Sequence, residues 1–305
     1  MISDPATPRV VLDPELGYRH LDPMPSDPAI EKFYESQYRD LLNAGGRAPE
    51  LTRLVDGGPD ADLEREWLTA TLYADIVIAL DGAPTTGRPR RSLDIGCGTG
   101  DVVRAVAAAG WDAVGIEPAE DFAEVGRAAG LRIETTTAGS YLERWRASGD
   151  APFDGITFLN VLEHVPDPRG MVIDAGSALA PGGRLVVRVP NDFNPLQEVA
   201  IKHLGGPPWW ISVPDHVNYF DHASIASLVE GTGLEVVDRL TDFPMELFLL
   251  MGDDYRADRA VGRASHHKRV RMEMALDPDL RRAMGRSWVA LGLGRNAFVV
   301  ARKPE

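Results

Sequence analysis

Gly96, Gly98 and Gly100 stand at every second position, behind the apolar run Ser92-Leu93-Asp94-Ile95 and in front of a helical pattern that opens near Asp101. Glycine has no Cβ, so such a loop takes left-handed backbone angles and comes close to a ligand, while the helix behind it presents unbonded N–H groups. The chemistry this favours is the holding of a nucleoside-type ligand. Glu117 ends a second apolar run 21 positions after Gly96, where the end of a neighbouring strand reaches a ribose, and a carboxylate there can accept from both hydroxyls. Asp94 stands just ahead of the loop. Cys97, enclosed in it, reads as a small apolar filler rather than a nucleophile.

Glycine loops between a strand and a helix serve two cofactors, a dinucleotide or S-adenosylmethionine, and spacing separates them. The dinucleotide fingerprint is G-x-G-x-x-G, which seats a pyrophosphate on the helix N-terminus. Counted from Gly96, its third glycine falls on Asp101, whose carboxylate competes with phosphate for the positive end of the helix. The G-x-G-x-G pattern preceded by Asp94 suits a cofactor that has no phosphate and carries a positive centre.

These residues need strands that end side by side. Apolar runs alternate with helical segments over 92–95, 101–109, 113–116, 120–129, 155–160, 169–178 and 184–189, the signature of a parallel sheet flanked by helices. A helix over 222–231 and strands over 234–241 and 296–302 resume this core. Between them, 194–220 is rich in proline, glycine and aromatics and reads as a lid, and 244–286 reads as a mostly helical insertion. Ahead of the core, helical spacing predicts helices over 29–43 and 63–80. Residues 1–31, with six prolines, read as an extended arm that resists regular structure. The expected division is an arm and helical cap over 1–89 and a core over 90–305, with insertions at about 194–222 and 244–290 forming the substrate side.

Composition narrows the function classes. The 305 residues carry 46 acidic and 32 basic side chains, and a formal charge of −14 repels phosphate backbones and anionic membranes. Nucleic acid is therefore not an expected partner. Cys97 is the single cysteine, which excludes an intrachain disulfide, a multi-cysteine metal site and cluster-dependent radical chemistry. The first ten residues show no basic-then-apolar leader, and no run approaches the roughly 18 apolar residues of a membrane span, so the expectation is a soluble cytoplasmic protein.

Four motifs follow one another between about 90 and 190: Leu93-Asp94-Ile95-Gly96-Cys97-Gly98-Thr99-Gly100, then Gly115-Ile116-Glu117-Pro118, then Phe153-Asp154 with Asn160-Val161-Leu162-Glu163-His164-Val165, then Leu179-Ala180-Pro181-Gly182-Gly183. In them the chain resembles the class I S-adenosylmethionine-dependent methyltransferases that act on small molecules. The resemblance implies an α/β fold: a Rossmann-like, seven-stranded, mostly parallel sheet with an antiparallel last strand and helices on both faces. It also implies that Asp94, Gly96 and Gly98 hold the methionine part of S-adenosylmethionine, Glu117 the ribose, and the Gly139-Ser140-Tyr141 turn the adenine. Asn160 then lies beside the sulfonium, and Cys97, Pro118 and Val161 complete the cofactor-binding set. The N-terminal region and the long insertion before the last strand depart from the simplest members, and those parts form the substrate pocket.

A methyl group on a sulfonium is already electrophilic, so the protein has to align nucleophile and sulfur and exclude water. A base is needed only where the acceptor must lose a proton, and histidine, with an ordinary pKa of about 6.5, is the natural one. Of seven histidines, His20, His203, His266 and His267 read as solvated or capping residues. His216, in the lid segment Pro214-Asp215-His216-Val217-Asn218-Tyr219-Phe220, is the expected catalytic base, and His164, beside the methyl-transfer region, is the second candidate. Asp215, His216, Asp221 and His222 can be read as a metal cluster, but neighbours on a loop rarely converge without further ligands, and no metal is expected. Trp209, Trp210 and Tyr219 are the candidate substrate contacts. The basic run from Arg263 to Arg271 reads as a solvated helix face that could also bind an anionic acceptor. The expected function is methyl transfer from S-adenosylmethionine to a small-molecule metabolite at oxygen, with S-adenosylhomocysteine as product. N- or C-methylation are the alternatives, as are an NAD-type oxidoreductase, disfavoured by Asp101, and a non-catalytic cofactor-binding protein.

Overall fold

The computed structural model describes residues 8–26, 59–85 and 87–305, so the helix expected over 29–43 lies outside the described residues. Along the chain run β1 (Arg9–Leu12), β2 (Arg19–Asp22), α1 (Pro59–Leu68), a π-helical turn (Thr69–Tyr73), α2 (Ala74–Asp81), β3 (Arg91–Ile95), α3 (Asp101–Ala108), β4 (Asp112–Glu117), α4 (Glu120–Ala128) and β5 (Ile133–Thr135). They are followed by α5 (Ala138–Ser148), β6 (Phe153–Leu159), a 3-10 turn (Leu162–His164), α6 (Pro168–Ala178), β7 (Leu179–Pro190), α7 (Pro195–Leu204) and β8 (Asn218–Tyr219). The chain closes with α8 (His222–Glu230), β9 (Glu235–Leu240), α9 (Glu246–Leu250), α10 (Arg259–Ala275), α11 (Pro278–Ala290) and β10 (Asn296–Arg302).

Seven strands form one sheet in the order β5-β4-β3-β6-β7-β10-β9. The pairings from β5 across to β7 are parallel, and β10 is antiparallel to both of its neighbours. Central strands covered on both faces read as nearly continuous apolar runs. Successive residues of β7 and β10 accordingly serve opposite faces: Leu185, Val187 and Val299 pack with α5, α6 and α8, while Val186, Phe298 and Val300 pack with α2 and α3. The three-residue β5 is too short for a periodic signal and was not foreseen. Among the described residues no helix is long and apolar enough to cross a membrane.

The N-terminal segment departs from the reading of an irregular arm. Residues 9–22 form a hairpin, and β2 pairs with β8 of the lid in a second, three-stranded antiparallel sheet. Its prolines sit where they do no harm: Pro14 is in the turn, and Pro23 and Pro25 follow β2. The Asp13 carboxylate accepts from the N–H groups of Glu15 and Leu16 at 2.9 and 2.7 Å and shapes the turn. Leu21 is then fully buried against Val217 and Tyr219.

The basic run is a solvated face only in part: Arg263, Lys268 and Arg271 are exposed. His266 and Arg269 are buried on α10, which packs against the cap through Glu273, the acceptor from the Trp67 indole N–H at 2.6 Å. Arg269 pairs with Asp242 at 3.0 Å and with Glu273 at 3.3 Å, and His266 Nε2 lies 2.7 Å from a Glu64 oxygen. Residues three and four apart on a helix share a face, as Arg269 and Glu273 do, but Glu64 and Asp242 reach this face only in the tertiary fold.

Candidate cofactor and acceptor site

The glycine loop begins where β3 ends. Gly96, Gly98 and Gly100 all have left-handed backbones, with φ of 71°, 53° and 82°. A Cβ at Gly96 would fall 2.6 Å from Val161 Cγ2 and one at Gly100 2.6 Å from Ile133 Cδ1, whereas one at Gly98 would meet nothing within 4 Å. The first and last glycines are thus packing positions, and Gly98 opens toward the site. The N–H groups of Gly96 and Cys97 donate to the Ile116 carbonyl at 2.9 and 3.0 Å and tie the loop to β4. Burial pushes the Cys97 thiol far up, which leaves it a neutral packing group.

Two acids flank the loop. Glu117, at the end of β4, accepts from the N–H of Gly98 and of Ala119, both at 2.9 Å. A carboxylate has about four acceptor positions, so two remain for a ligand diol. Burial pushes the Glu117 carboxyl up and these two bonds pull it back. Asp94 is 4% exposed and accepts from the Thr157 hydroxyl at 2.5 Å. Burial pushes it up to about 7; the Thr157 bond opposes the shift and the charges of Glu117 and Asp101 add to it. A buried carboxyl poised in this way favours a cationic ligand. Asp101 accepts from the Thr99 hydroxyl at 2.8 Å and occupies the first turn of α3, where a phosphate would otherwise sit.

The remaining cofactor candidates fall on the same sheet edge. Gly139, Ser140 and Tyr141 are the first turn of α5 rather than a free turn, with Thr137 as cap accepting from the Ser140 N–H at 3.3 Å. Pro118 is exposed beside Glu117. Asn160 follows β6 with a φ of 55°, unusual for a residue other than glycine and a kind of strain that clusters at functional sites. Its N–H donates to the Arg188 carbonyl at 2.8 Å, and its side-chain oxygen accepts from the Arg188 guanidinium. Val161 fills the space above Gly96.

The acceptor side is assembled from distant segments. His164, on the 3-10 turn, and His216, on the lid, meet edge to face with ring centres 4.9 Å apart. His164 Nδ1 lies 2.8 Å from the Asp215 carbonyl oxygen, which only accepts, so Nδ1 carries the hydrogen and the neutral ring keeps its basic lone pair on Nε2. Glu163, 1% exposed, places Oε1 3.9 Å from that Nε2, and burial pushes its carboxyl up. His216 Nε2 lies 3.8 Å from Asp215 Oδ2. The four-residue cluster read along the loop separates: Asp221 caps α8, and His222 turns its Nε2 to the Leu293 carbonyl at 2.8 Å. The two histidines are joined instead by Glu163, and the ligand atoms of Glu163, His164 and His216 lie within 4.8 Å of one another.

Among the aromatic candidates, Tyr219 is fully buried and donates its hydroxyl to the His216 carbonyl at 3.0 Å, bracing the lid from inside. Trp210 is buried edge-on against Phe193, and Trp209 is partly exposed beneath the Arg256 guanidinium. Sequence reasoning missed Glu163 and Arg188 as site residues. Arg188 did leave a signal, a cation set among the valines of β7, and it lies 3.6 Å from Asp242.

A family model described as a methyltransferase domain matches residues 62–239. The ubiquinone biosynthesis O-methyltransferase of Xylella fastidiosa is 39% identical over 103 residues, which are 33% of this chain and 42% of that protein. That of Idiomarina loihiensis is 28% identical over 176 residues, 54% of this chain and 70% of that protein. The chain spans less than half the length of the first of these curated relatives. Among solved structures, the Burkholderia thailandensis 1,6-didemethyltoxoflavin-N1-methyltransferase with bound 1,6-didemethyltoxoflavin and S-adenosylhomocysteine aligns with a TM-score of 0.51 at 15% identity, over 98% of this chain and 100% of that one. At such identity the likeness is one of fold. The matched span opens in α1 and closes in β9, enclosing the glycine loop, both flanking acids and both histidines, and on that match the chain belongs to the methyltransferase-domain family.

Proposed function

We propose that the protein moves a methyl group from S-adenosylmethionine to an oxygen of a small-molecule acceptor, releasing S-adenosylhomocysteine. The observation that carries the reading is the pairing on one sheet edge of a cation-seeking Asp94 and a half-satisfied Glu117 across an open Gly98. In this reading Asp94 meets the positive methionine end, Glu117 takes the ribose diol, the first turn of α5 flanks the adenine, and Asn160 lies beside the sulfonium. The O-methyltransferase names of the relatives support oxygen as the receiving atom.

The acceptor hydroxyl gives its proton to a histidine as its oxygen attacks the methyl carbon; the S–C bond breaks and its electrons neutralise the sulfur. His164 is better placed for this than His216, because the Asp215 carbonyl holds its tautomer with Nε2 basic. Glu163 and Asp215 stand near the imidazolium that results, and His216 packs on it with the lid tryptophans excluding water. In this reading the lid, tied to the hairpin 9–22 through β8, stands on the acceptor side. The test is calorimetry with S-adenosylhomocysteine and NAD, followed by tritiated-methyl transfer to a panel of small hydroxylated metabolites. Binding of NAD in place of S-adenosylhomocysteine would overturn the reading, and cofactor binding with label appearing only on amines would move the receiving atom to nitrogen.

A further inference from the structure

A cavity of about 170 Å³ lies between α2, α11 and the strands β7, β9 and β10, and it shares no residue with the cofactor and acceptor candidates described above. Three arginines line it. Arg184 comes from β7, and Arg282 and Arg286 stand one turn apart on α11. The Arg184 Nη2 donates to the carbonyl of Gly82, the cap of α2, at 2.9 Å, while its Nε and Nη1 are buried and have no acceptor among the described residues. Gly82 leaves little room to spare: a Cβ there would fall 2.9 Å from Nε and 3.0 Å from Nη2. Buried N–H groups without an acceptor are rare in folded proteins, and on a guanidinium they carry charge as well.

The acids around the cavity are already taken. Asp75 of α2 accepts from both Nη atoms of Arg281 at 2.7 Å and lies 3.5 Å from Arg282, and Asp238 of β9 accepts from Arg286 Nε and Nη2 at 3.0 and 2.7 Å. Arg282 also pairs with the exposed Asp279. Glu235, whose charge acts on Arg184, is itself bonded to Arg302 at 2.5 Å. Four guanidinium groups therefore stand against three carboxylates, and Arg184 is the one that no carboxylate among the described residues pairs with. Burial pulls the Arg184 guanidinium below its ordinary range, and the like charge of Arg302 adds to the shift. In a chain of formal charge −14, this local excess of positive charge runs against the composition and attracts anions.

We propose that this cavity is a binding site for a phosphate-type oxyanion, with Arg184 Nε and Nη1 donating to its oxygens and the guanidinium groups of Arg282 and Arg286 adding charge beside it. Guanidinium N–H groups match phosphate oxygens in both geometry and charge. Arg286 is half exposed, which gives the anion a way in from solvent. Bound there, the anion links α2, the last helix of the cap, to α11 and the β9 edge of the sheet. Because it binds only the folded chain, it raises stability as it fills the site. The phosphate group comes either free or as an ester of a small metabolite, and the two sources are told apart by their affinities.

The experiment measures calorimetric binding and Tm of the full chain in sodium phosphate and in sodium chloride of equal ionic strength, with glycerol 3-phosphate as the ester. The expected result is saturable phosphate binding in wild type whose Kd weakens at least about tenfold in Arg184→Gln. Phosphate strengthens burial in any protein, so the gain in Tm that counts is the part the variant loses. Binding of glycerol 3-phosphate tighter than that of inorganic phosphate supports the site and assigns it to an ester, and weaker binding supports it and assigns it to the free ion. Should Arg184→Gln melt early, Gly82→Ala decides: at a φ of −68° the new Cβ brings no backbone strain, yet it displaces the guanidinium and must weaken phosphate as well. Absence of saturable binding in wild type, or an unchanged Kd in either folded variant, overturns the proposal.

Discussion

The two halves of the site are made in different ways. On the cofactor side, Asp94, the three glycines and Glu117 lie within one strand-loop-helix-strand unit, and the main contacts are made by backbone: left-handed glycines, N–H groups on Ile116, two N–H groups on Glu117. On the acceptor side, His164 meets a residue 52 positions away, Arg188 reaches back to Asn160, and Tyr219 braces His216 from a strand paired to the N-terminal hairpin. The first half tolerates little change in residue type at its turns, because only glycine adopts those angles without strain. The second depends on side chains that separate elements must bring together.

This contrast predicts how each half fails. Gly98→Val should do the greatest harm: a branched side chain is strained at a φ of 53°, and its bulk enters the side of the loop that is open. Cofactor binding should be lost in calorimetry while circular dichroism stays native; a variant with full activity would break the division into halves. His164→Ala should lower kcat by about 100-fold or more, since general-base catalysis contributes ~10² to 10⁴, and leave the Kd for S-adenosylhomocysteine unchanged. His216→Ala should cost less than that, and the reverse ranking would return the base to the lid.

Glu117→Ala removes the proposed ribose acceptor and two loop bonds together, so S-adenosylhomocysteine affinity should fall at least about tenfold. An unaltered Kd in a folded variant would refute the ribose placement. The smallest effect is the most diagnostic of the buried acid. With a folded pKa of about 7 against an ordinary 3.8, Asp94 is protonated below neutrality and ionised above it. A positive cofactor prefers the ionised form, so S-adenosylmethionine affinity should rise from about pH 6 to about pH 8, and Asp94→Asn should flatten that slope. The stability effect runs the other way. A raised carboxyl contributes stability below its unfolded pKa and loses it as pH climbs through the folded value, so Asp94→Asn should melt above wild type at about pH 8 and with it at about pH 4. Thermal scans at both values check the sign.

Most of the core was legible because its signals are local. Strands expected at 92–95, 113–116 and 184–189 appear as β3, β4 and the later part of β7, and the helices at 101–109, 120–129 and 222–231 are within one residue of those observed. The losses share a cause. The hairpin at 9–22 was hidden because proline content argued against regular structure, yet each proline stands outside its strands and the pairing partner is about two hundred residues away. The buried charges of α10 looked solvated because no local pattern announces that Glu64, Asp242 and Trp67 will face them.

By itself the sequence determined the sheet, the loop conformation and the kind of ligand the loop admits, since strand alternation, G-x-G-x-G and the acids at Asp94 and Glu117 act over a few residues, where φ and ψ are chosen. Only the tertiary structure decided that Gly98 is the open glycine and that His164 and His216 form one pair with Glu163 beside it. Those facts depend on where side chains from separate elements end up, and that is set by packing of the whole core rather than by any neighbour in the chain.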